Sequence, residues 1–253
     1  MKLTKPVTGS PCWVELGTPD VPSSQTFFAA VLGWRSETDP RPEAGGYTMA
    51  RLGEDAVAGL SPTYRPDQRP SWTVSFATKD VDASAGAVRS AGGTVLMEPM
   101  DIFDQGRFAV AADPSGAVFT LWQARAFPGT QRFGDPGTLG WTELRTSDPR
   151  GALAFYPAVF GWTVDASEHF THWGVDGAEF GGLKEVPHDD ERGQGGTPPQ
   201  WLPYFAVTDA EGTAARALGA GGEQLAPPRR VPGGPCVAVL RDREGAAFGV
   251  HAP

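Results

Sequence analysis

The sequence repeats itself without gaps at an almost constant spacing. Residues 13–34 align with residues 141–162, and ten of these 22 positions are identical. Residues 72–122 align with residues 201–251, and 16 of these 51 positions are identical. A repeat this regular requires both halves of the chain to adopt one supersecondary plan. Residues kept in both copies are therefore expected to serve the shared fold, and residues that differ are candidates for a function.

Each copy contains helix signals at matching places. Asp20 and Asp148 follow a short alternating strand and are placed to cap a helix, because their side chains can accept a free backbone N–H. Apolar residues then recur at helical spacing, and Gly33 and Gly161 end the two helices. Three strands follow, and the same order of strand, helix and three strands recurs once more in each half. The chain is thus predicted to hold four βαβββ modules.

These modules predict an α+β protein of two domains. We place the first domain at residues 1–126, a Pro-rich and Gly-rich linker at 127–137, and the second domain at 138–253. Each domain is long enough to bury a core of its own. The first module either pairs with the second or crosses over to the fourth, since the linker is long enough for both arrangements.

Composition narrows the function and the location. The chain has 30 acidic and 21 basic residues, a net charge of −9 and no large basic cluster, which argues against binding to nucleic acid. No apolar run is long enough to span a bilayer, and the first residues lack the apolar stretch of a signal peptide. We therefore expect a cytoplasmic monomer or weak homodimer with no membrane partner. Cys12 and Cys236 do not align with one another and are expected to be free thiols.

Four phrases of the first half carry a family resemblance: WVELGTPD, FFAAVLGW, GGTVLMEP and GRFAVAADPSGAVFTLW. They resemble the vicinal oxygen chelate superfamily of glyoxalases, bleomycin resistance proteins and extradiol dioxygenases, and especially its tandem glyoxalase-like or hydroxylase-type members from actinobacteria. The resemblance implies two glyoxalase-like domains whose mixed sheets curl into cups. It does not fix the activity, because this scaffold hosts isomerases, dioxygenases, transferases and binding proteins.

The resemblance also implies where a metal would be held, on the first strands of both modules and on the last strand of each cup. The residues at these positions carry no His, Glu or Cys, and they are Trp13, Thr73, Thr120, Trp141, Leu202 and Gly249. Indole offers only a donor and cannot bind a divalent ion. We therefore predict no metal and no other cofactor. A shifted site of Glu143, His251 and His172 in the second half is the alternative, since residues two steps along a strand share a face.

Two carboxylates are candidates for catalysis. Glu15 and Glu143 are the only acidic residues of the first strands, and both are expected to face into their cups. Such a carboxylate can have a raised pKa and act as a general acid or base. It can equally accept hydrogen bonds as part of the scaffold, since both copies keep it. Tyr204 and His251 are further catalytic candidates in the second cup.

The segment Met97 to Gly106 is the sharpest difference between the halves. It is predicted to be a loop that offers Met100 and Phe103 to an apolar ligand, because methionine adapts to irregular surfaces. The alternative is a loop that packs only on its own domain. The remaining predicted ligand contacts are Trp13, Met49, Ser75, Thr120, Trp122, Trp141 and His172.

Three functions remain open from the sequence. The leading hypothesis is a metal-free protein that binds a planar aromatic or polyketide-like molecule and takes part in tailoring it, as a hydroxylase-type enzyme or an accessory protein. The second is a resistance protein that sequesters an antibiotic without catalysis. The third is a metal-dependent dioxygenase or glyoxalase-type lyase. No catalytic triad, phosphate-binding loop or dinucleotide fingerprint supports another class. The sequence does not identify the ligand or the active cup.

Overall fold

Two eight-stranded sheets, one from each half of the chain, make up the fold. The computed structural model describes residues 6–65, 67–166, 171–187 and 198–253. The strands of the first sheet are β1 (Pro11–Thr18), β2 (Arg35–Thr38), β3 (Thr48–Leu52), β4 (Asp55–Pro62), β5 (Ser71–Ala77), β6 (Thr94–Ile102), β7 (Gly106–Ala112) and β8 (Val118–Ala124). Their spatial order is β2-β3-β4-β1-β5-β8-β7-β6.

The second sheet repeats this plan strand for strand. Its strands are β9 (Leu139–Thr146), β10 (Thr163–Ala166), β11 (Thr171–Val175), β12 (Ala178–Glu185), β13 (Gln200–Ala206), β14 (Glu223–Arg230), β15 (Cys236–Arg241) and β16 (Ala247–Ala252). Their spatial order is β10-β11-β12-β9-β13-β16-β15-β14. The predicted α+β class with four βαβββ modules is confirmed.

Each sheet forms where the first strands of two consecutive modules meet. β1 and β5 pair antiparallel with Glu15 opposite Thr73, and β9 and β13 pair antiparallel with Glu143 opposite Leu202. The first module therefore pairs with the second and the third with the fourth, which decides between the two arrangements that the sequence left open. No side chain predicted for one cup moves to the other.

Four α-helices of the described part of the chain lie beside the sheets, and the caps of α1 and α3 follow the predictions. They are α1 (Val21–Leu32), α2 (Val81–Ser90), α3 (Pro149–Phe160) and α4 (Ala210–Gly219). The Asp20 side chain accepts from the Ser23 backbone N–H at 2.9 Å. Gly33 and Gly161 end α1 and α3 with φ of 75° and 70°, in the left-handed region where glycine has no steric penalty. No helix within the described ranges is long and apolar enough to span a membrane.

The main hydrophobic core is shared by the two halves. α1 packs against α4, and α2 packs against α3. The Phe28 ring of the first half lies 5.4 Å from the Phe248 ring of the second, and the Phe155 ring of the second half lies 6.2 Å from the Phe119 ring of the first. One continuous cluster of buried residues results. The expectation of a separate core for each half is therefore wrong, because each helix buries its apolar face partly on the other half.

One repeat position is glycine in both copies, as Gly93 and Gly222, and the packing between the halves leaves no room for a side chain at either residue. A Cβ at Gly93 would lie 2.7 Å from the Phe155 ring, and a Cβ at Gly222 would lie 2.9 Å from the Phe27 ring. Both distances are shorter than real side-chain carbons allow. Each glycine thus provides the space into which the aromatic ring of the other half's helix fits.

A buried hydrogen-bond chain crosses the interface between the halves on one side. The Tyr156 hydroxyl on α3 donates to Asp113 Oδ2 at 3.0 Å and accepts from Trp201 Nε1 at 2.9 Å. Tyr156 is fully buried and Trp201 almost so. Because a buried polar group without a partner costs free energy, the single hydroxyl satisfies a donor and an acceptor at once.

The matching place on the other side of the interface lacks this hydroxyl. Phe28 stands where the second copy has Tyr156, and its ring lies 5.4 Å from Trp72 just as the Tyr156 ring lies 5.2 Å from Trp201. Trp72 Nε1 and Asp242 Oδ2 are consequently buried without a hydrogen-bond partner among the described residues. Burial also raises the pKa of Asp242 above its ordinary value.

We predict opposite effects on stability for the two reciprocal substitutions at this interface. Phe28→Tyr supplies the missing hydroxyl to Trp72 and Asp242 and should raise the free energy of unfolding by about 1 kcal/mol. Tyr156→Phe leaves two buried groups unpaired and should lower it by about 1–3 kcal/mol. Urea unfolding followed by fluorescence measures both changes. A loss of stability in both variants would contradict this account of the interface.

Candidate functional site

The face of the first sheet that is turned away from the shared core carries most of the predicted site residues. Val14 and Leu16 of β1 are fully buried in the core, so the alternating residues Trp13 and Glu15 point to the opposite face. We call this opposite face the first cup. The predicted residues that share it by strand register are Trp13, Glu15, Met49, Ser75, Met100, Thr120 and Trp122.

The segment Met97 to Gly106 was wrongly predicted to be a loop. β6 extends to Ile102 and pairs with β7, with Met100 opposite Phe108, and only residues 103–105 form a turn. β6 is an edge strand with two register shifts, and its Pro99 interrupts the regular ladder. Phe103 lies in the turn at φ 47°, which is rare for a residue other than glycine. Ligand contact by Met100 and Phe103 stays a prediction.

A contact between opposite edges shows that the first sheet is curled. Arg41 lies between β2 and β3, and Phe103 lies between β6 and β7, at the two ends of the strand order. The Arg41 guanidinium nevertheless lies 4.8 Å from the centre of the Phe103 ring. Arg41 is held by Asp39, with atoms 2.6 Å apart, and lowers the pKa of that carboxyl to about 2. The rim of the first cup is therefore bridged by a cation–π contact.

A hydrogen-bond network surrounds Glu15 inside the first cup. Ser61 Oγ donates to Glu15 Oε1 at 2.9 Å, and Trp13 Nε1 donates to the Tyr47 hydroxyl at 3.0 Å. The Tyr47 hydroxyl lies near Glu15 and opposes the rise in the pKa of that carboxyl. Because the Tyr47 oxygen accepts from Trp13, its single proton is left for a neighbouring acceptor. The indole at the expected metal position thus orients a phenol towards the carboxylate.

Burial is the main influence on the acidity of this network. It raises the pKa of Glu15 above the ordinary 4.5, while the bonds from Ser61 and Tyr47 act in the opposite direction. Burial, followed by the charge of Glu15, raises the pKa of Tyr47 well above its usual value. Glu15 is therefore shifted towards the range in which a carboxyl can both give and take a proton.

Sequence reasoning missed Tyr47 and Ser61. The signal was present in the comparison of the halves, because the second copy has Phe170 and Lys184 at the corresponding positions. Tyr47 also borders a cleft of about 260 Å³ that Met49, Arg51 and residues 37–40 line on its other sides. This cleft opens beside the first cup. Burial raises the pKa of the Cys12 thiol and makes it a poor nucleophile, although both cysteines are free as predicted.

The corresponding face of the second sheet, which we call the second cup, holds an ion pair instead. Glu143 Oε1 accepts from Arg145 Nε at 2.8 Å and from the Tyr204 hydroxyl at 3.2 Å. Arg145 replaces Gly17 of the first copy and is mostly buried. The charge of Glu143 is thus matched by a guanidinium, which distinguishes it from Glu15.

Tyr204 also fills the floor of the second cup. A Cβ at Gly249 would lie 2.2 Å from the Tyr204 ring, so the ring lies directly on the glycine backbone. Tyr204 is only 5% exposed. The first cup has Ser75 and Thr120 at these two positions. The Tyr204 ring therefore has no aromatic counterpart on the floor of the first cup.

The two histidines of the second cup do not meet. His172 Nδ1 lies 3.1 Å from Glu179 Oε2, and its ring lies 5.5 Å from the Trp141 ring. His251 packs against Gly140, its Nε2 is buried without a hydrogen-bond partner in the described ranges, and burial lowers its pKa. The two histidines lie on β11 and β16, four strands apart in the order of the second sheet.

The residues at the family's metal positions do not fit a metal. In the first cup Trp13, Thr73 and Thr120 offer one indole N–H, already donated to Tyr47, and two neutral hydroxyls. The shifted site of Glu143, His251 and His172 is contradicted as well, since no three His, Cys, Asp or Glu side chains in the described ranges are grouped to hold an ion.

Comparison with known families agrees with this architecture. The model of the glyoxalase-like domain family matches residues 13–122 and again residues 141–251. The chain belongs to the glyoxalase-like domain family. Both copies of the duplication are therefore members, and the vicinal oxygen chelate resemblance is confirmed.

Two kinds of relative cover nearly the whole of this glyoxalase-like chain. It is 40% identical over 254 residues to the "Putative glyoxylase CFP32" of Mycobacterium tuberculosis, covering 97% of this chain and 95% of the relative. It is 37% identical over 266 residues to the "Anthracycline biosynthesis protein DnrV" of Streptomyces peucetius, covering 98% of this chain and 94% of the relative. The tandem organisation is thus shared over the full length of both relatives.

Solved structures support the fold alone. The Mn(II)-bound glyoxalase from Novosphingobium aromaticivorans matches with a TM-score of 0.68 and 16% identity, covering 97% of this chain and 82% of that one. The 2,3-dioxygenase LapB from a Pseudomonas strain matches with a TM-score of 0.66 and 13% identity, covering 97% of this chain and 93% of that one. The curled paired modules are common to all three proteins.

Glu15→Gln is predicted to change how stability depends on pH. Since the pKa of Glu15 is higher in the folded chain than in the unfolded one, its contribution to stability is present below the ordinary value and is lost as the pH rises through the raised value. Glutamine does not titrate, so the stability of the variant relative to the wild type should increase across this interval. Urea unfolding between about pH 4 and about pH 8 measures the difference.

The matched control is Glu37→Gln, because the Glu37 side chain is 75% exposed on the same sheet. This variant measures the effect of removing one carboxylate from an exposed site on that sheet. Parallel curves for Glu15→Gln would show that Glu15 does not titrate at a raised pKa.

Proposed function

We propose that this chain binds a planar, mostly apolar, polyketide-like molecule in its first cup and acts in tailoring it, without a bound metal. One relative, 94% of whose length is included in the match, is named an anthracycline biosynthesis protein. This name supports a role in secondary metabolism. The observation that carries the proposal is the half-buried Glu15 carboxyl, which accepts from Ser61 and lies near Tyr47 among aromatic residues.

The walls of the first cup suit a flat aromatic ligand. The partly buried Trp122 offers a ring surface on which another ring can pack, and the partly buried Met49 offers a flexible thioether. Met100 is 45% exposed on the same face, so it can contact a ligand without first leaving a packed core. A ligand of this kind gains binding free energy mainly from the apolar area that it buries.

The chemistry that the first cup supports is proton transfer. A carboxyl with a raised pKa can take a proton from a ring hydroxyl or an acidic C–H of the ligand and return it elsewhere. The proton moves to Glu15 and the negative charge to the ligand, and Ser61 and Tyr47 stabilise the ionised Glu15 before it takes the proton and after it returns it. Glu15 would act as the general base and acid, and the ligand's own electron-rich ring would supply the reactivity.

The first cup is favoured over the second as the ligand site because an ion pair and an aromatic ring occupy the second cup. Glu143 is already paired with Arg145, and Tyr204 covers the floor of its cup. Charged and filled positions of this kind oppose the entry of an apolar ring, since a buried ion pair that loses a partner is costly. The second cup is proposed to support the fold through the shared core.

We predict that copying the floor of the second cup into the first removes binding. Ser75→Tyr combined with Thr120→Gly reproduces the arrangement of Tyr204 on Gly249 and should weaken binding of the two-ring probe lawsone by about tenfold or more. Isothermal titration calorimetry on the full chain measures this. The matched control Tyr204→Ser alters only the second cup and should leave the affinity within about threefold. Loss of binding in the control instead would place the ligand in the second cup.

Proton transfer is predicted to be separable from binding. Naphthoresorcinol has a C–H between two hydroxyls that exchanges with deuterium when a carboxyl shuttles the proton, and exchange can be followed by NMR. The wild-type chain should accelerate this exchange, and Glu15→Gln should reduce the acceleration by about a hundredfold while binding changes little. Equal exchange with both proteins, with binding intact, would favour sequestration without catalysis.

A further inference from the structure

The segment between the two halves is built into the first cup. Thr130 N–H donates to the Cys12 carbonyl at 2.6 Å, at the start of β1. Gln131 N–H donates to the Ala56 carbonyl at 3.2 Å, and Gln131 Oε1 accepts from Ala56 N–H at 3.0 Å. Hydrogen bonds to two neighbouring strands fix the course of this segment along one end of the first sheet.

Phe127, the first residue of that segment, fills the end of the first cup. Its ring lies 4.9 Å from the Trp13 ring at an interplanar angle of 90°, and 6.1 Å from the Trp122 ring at 71°. Its carbonyl accepts from Trp122 Nε1 at 3.0 Å, and its N–H donates to the Gln105 carbonyl at 3.0 Å. The backbone is thus pinned on both sides while the ring edge meets the two tryptophans that wall the cup.

We propose that Phe127 determines the length of the planar ligand that the first cup accepts, an inference that rests on the proposed function of this cup. A ring that lies between Trp13 and Trp122 occupies the path by which a longer fused system would extend past Glu15. Because both backbone groups of Phe127 are hydrogen-bonded, its Cα is held in place, and the ring leaves this position only by rotating about its side-chain torsions and giving up its contacts with Trp13 and Trp122. The space for the ligand therefore ends at Phe127. The first cup prefers ligands of two fused rings to longer ones.

The test compares two flat hydroxylated quinones of different length on the full chain by isothermal titration calorimetry. Lawsone has two fused rings and alizarin has three. The wild type should prefer lawsone. Phe127→Ala should strengthen alizarin binding by about tenfold while lawsone binding changes by less than about threefold, so that the preference is reversed. Phe127→Leu retains an apolar plug of smaller size and should give an intermediate ratio.

Phe133→Ala is the matched control, because Phe133 belongs to the same segment but packs against the shared core. It should keep the wild-type preference. An unchanged ratio of the two affinities in folded Phe127→Ala and Phe127→Leu, checked by circular dichroism, overturns the length limit alone. Absence of binding of both quinones to every variant overturns the proposed function, and the length limit with it.

Discussion

The packing of aromatic side chains from the helices of each half onto the sheet of the other is the constraint on which the rest of the structure depends. At one side of the interface the Phe160 ring of α3 lies 5.3 Å from the Phe76 ring of β5. At the other side the Phe28 ring of α1 lies 5.4 Å from the Phe248 ring of β16. One face of each sheet is buried in this shared core, so the opposite faces form the cups. The buried face of each sheet stabilises the fold, and the opposite face is available for a ligand.

The duplication explains why the two cups differ while the core does not. Core aromatic residues contact both halves, so a change in one copy disturbs the other, and most are kept or replaced by another aromatic residue. The cup residues described above contact their own half or the segment that follows it. Gly17 can therefore differ from Arg145, and Ser75 from Tyr204, without loss of the common core. The second cup holds the large Tyr204 and the charged Arg145, whereas the first has a half-buried carboxyl among aromatic rings.

Local signals in the sequence predicted much of the fold. The Asp20 and Gly33 caps and the inward direction of Trp13 and Glu15 follow from helix and strand periodicity, which depends on neighbouring residues alone. The shared core and the strand β6 could not be predicted, because they depend on tertiary packing and on pairing with β7. The approach of Tyr47 to Glu15 was missed for the same reason, since the start of β3 comes near β1 only when both strands have paired with β4. The packing of Phe127 against Trp13 and Trp122 was missed because the Pro-rich and Gly-rich composition of its segment predicts a linker.

The central claim is that one cup of two binds a ligand beside a proton-carrying carboxyl. The most direct measurement is a crystal structure of the full chain with lawsone, combined with the calorimetric stoichiometry of binding in solution. We predict one molecule of lawsone per chain, in the first cup, with an oxygen or a ring edge within hydrogen-bond or contact distance of Glu15. One molecule in each cup, or a single molecule against Tyr204 and Arg145 in the second, would contradict it.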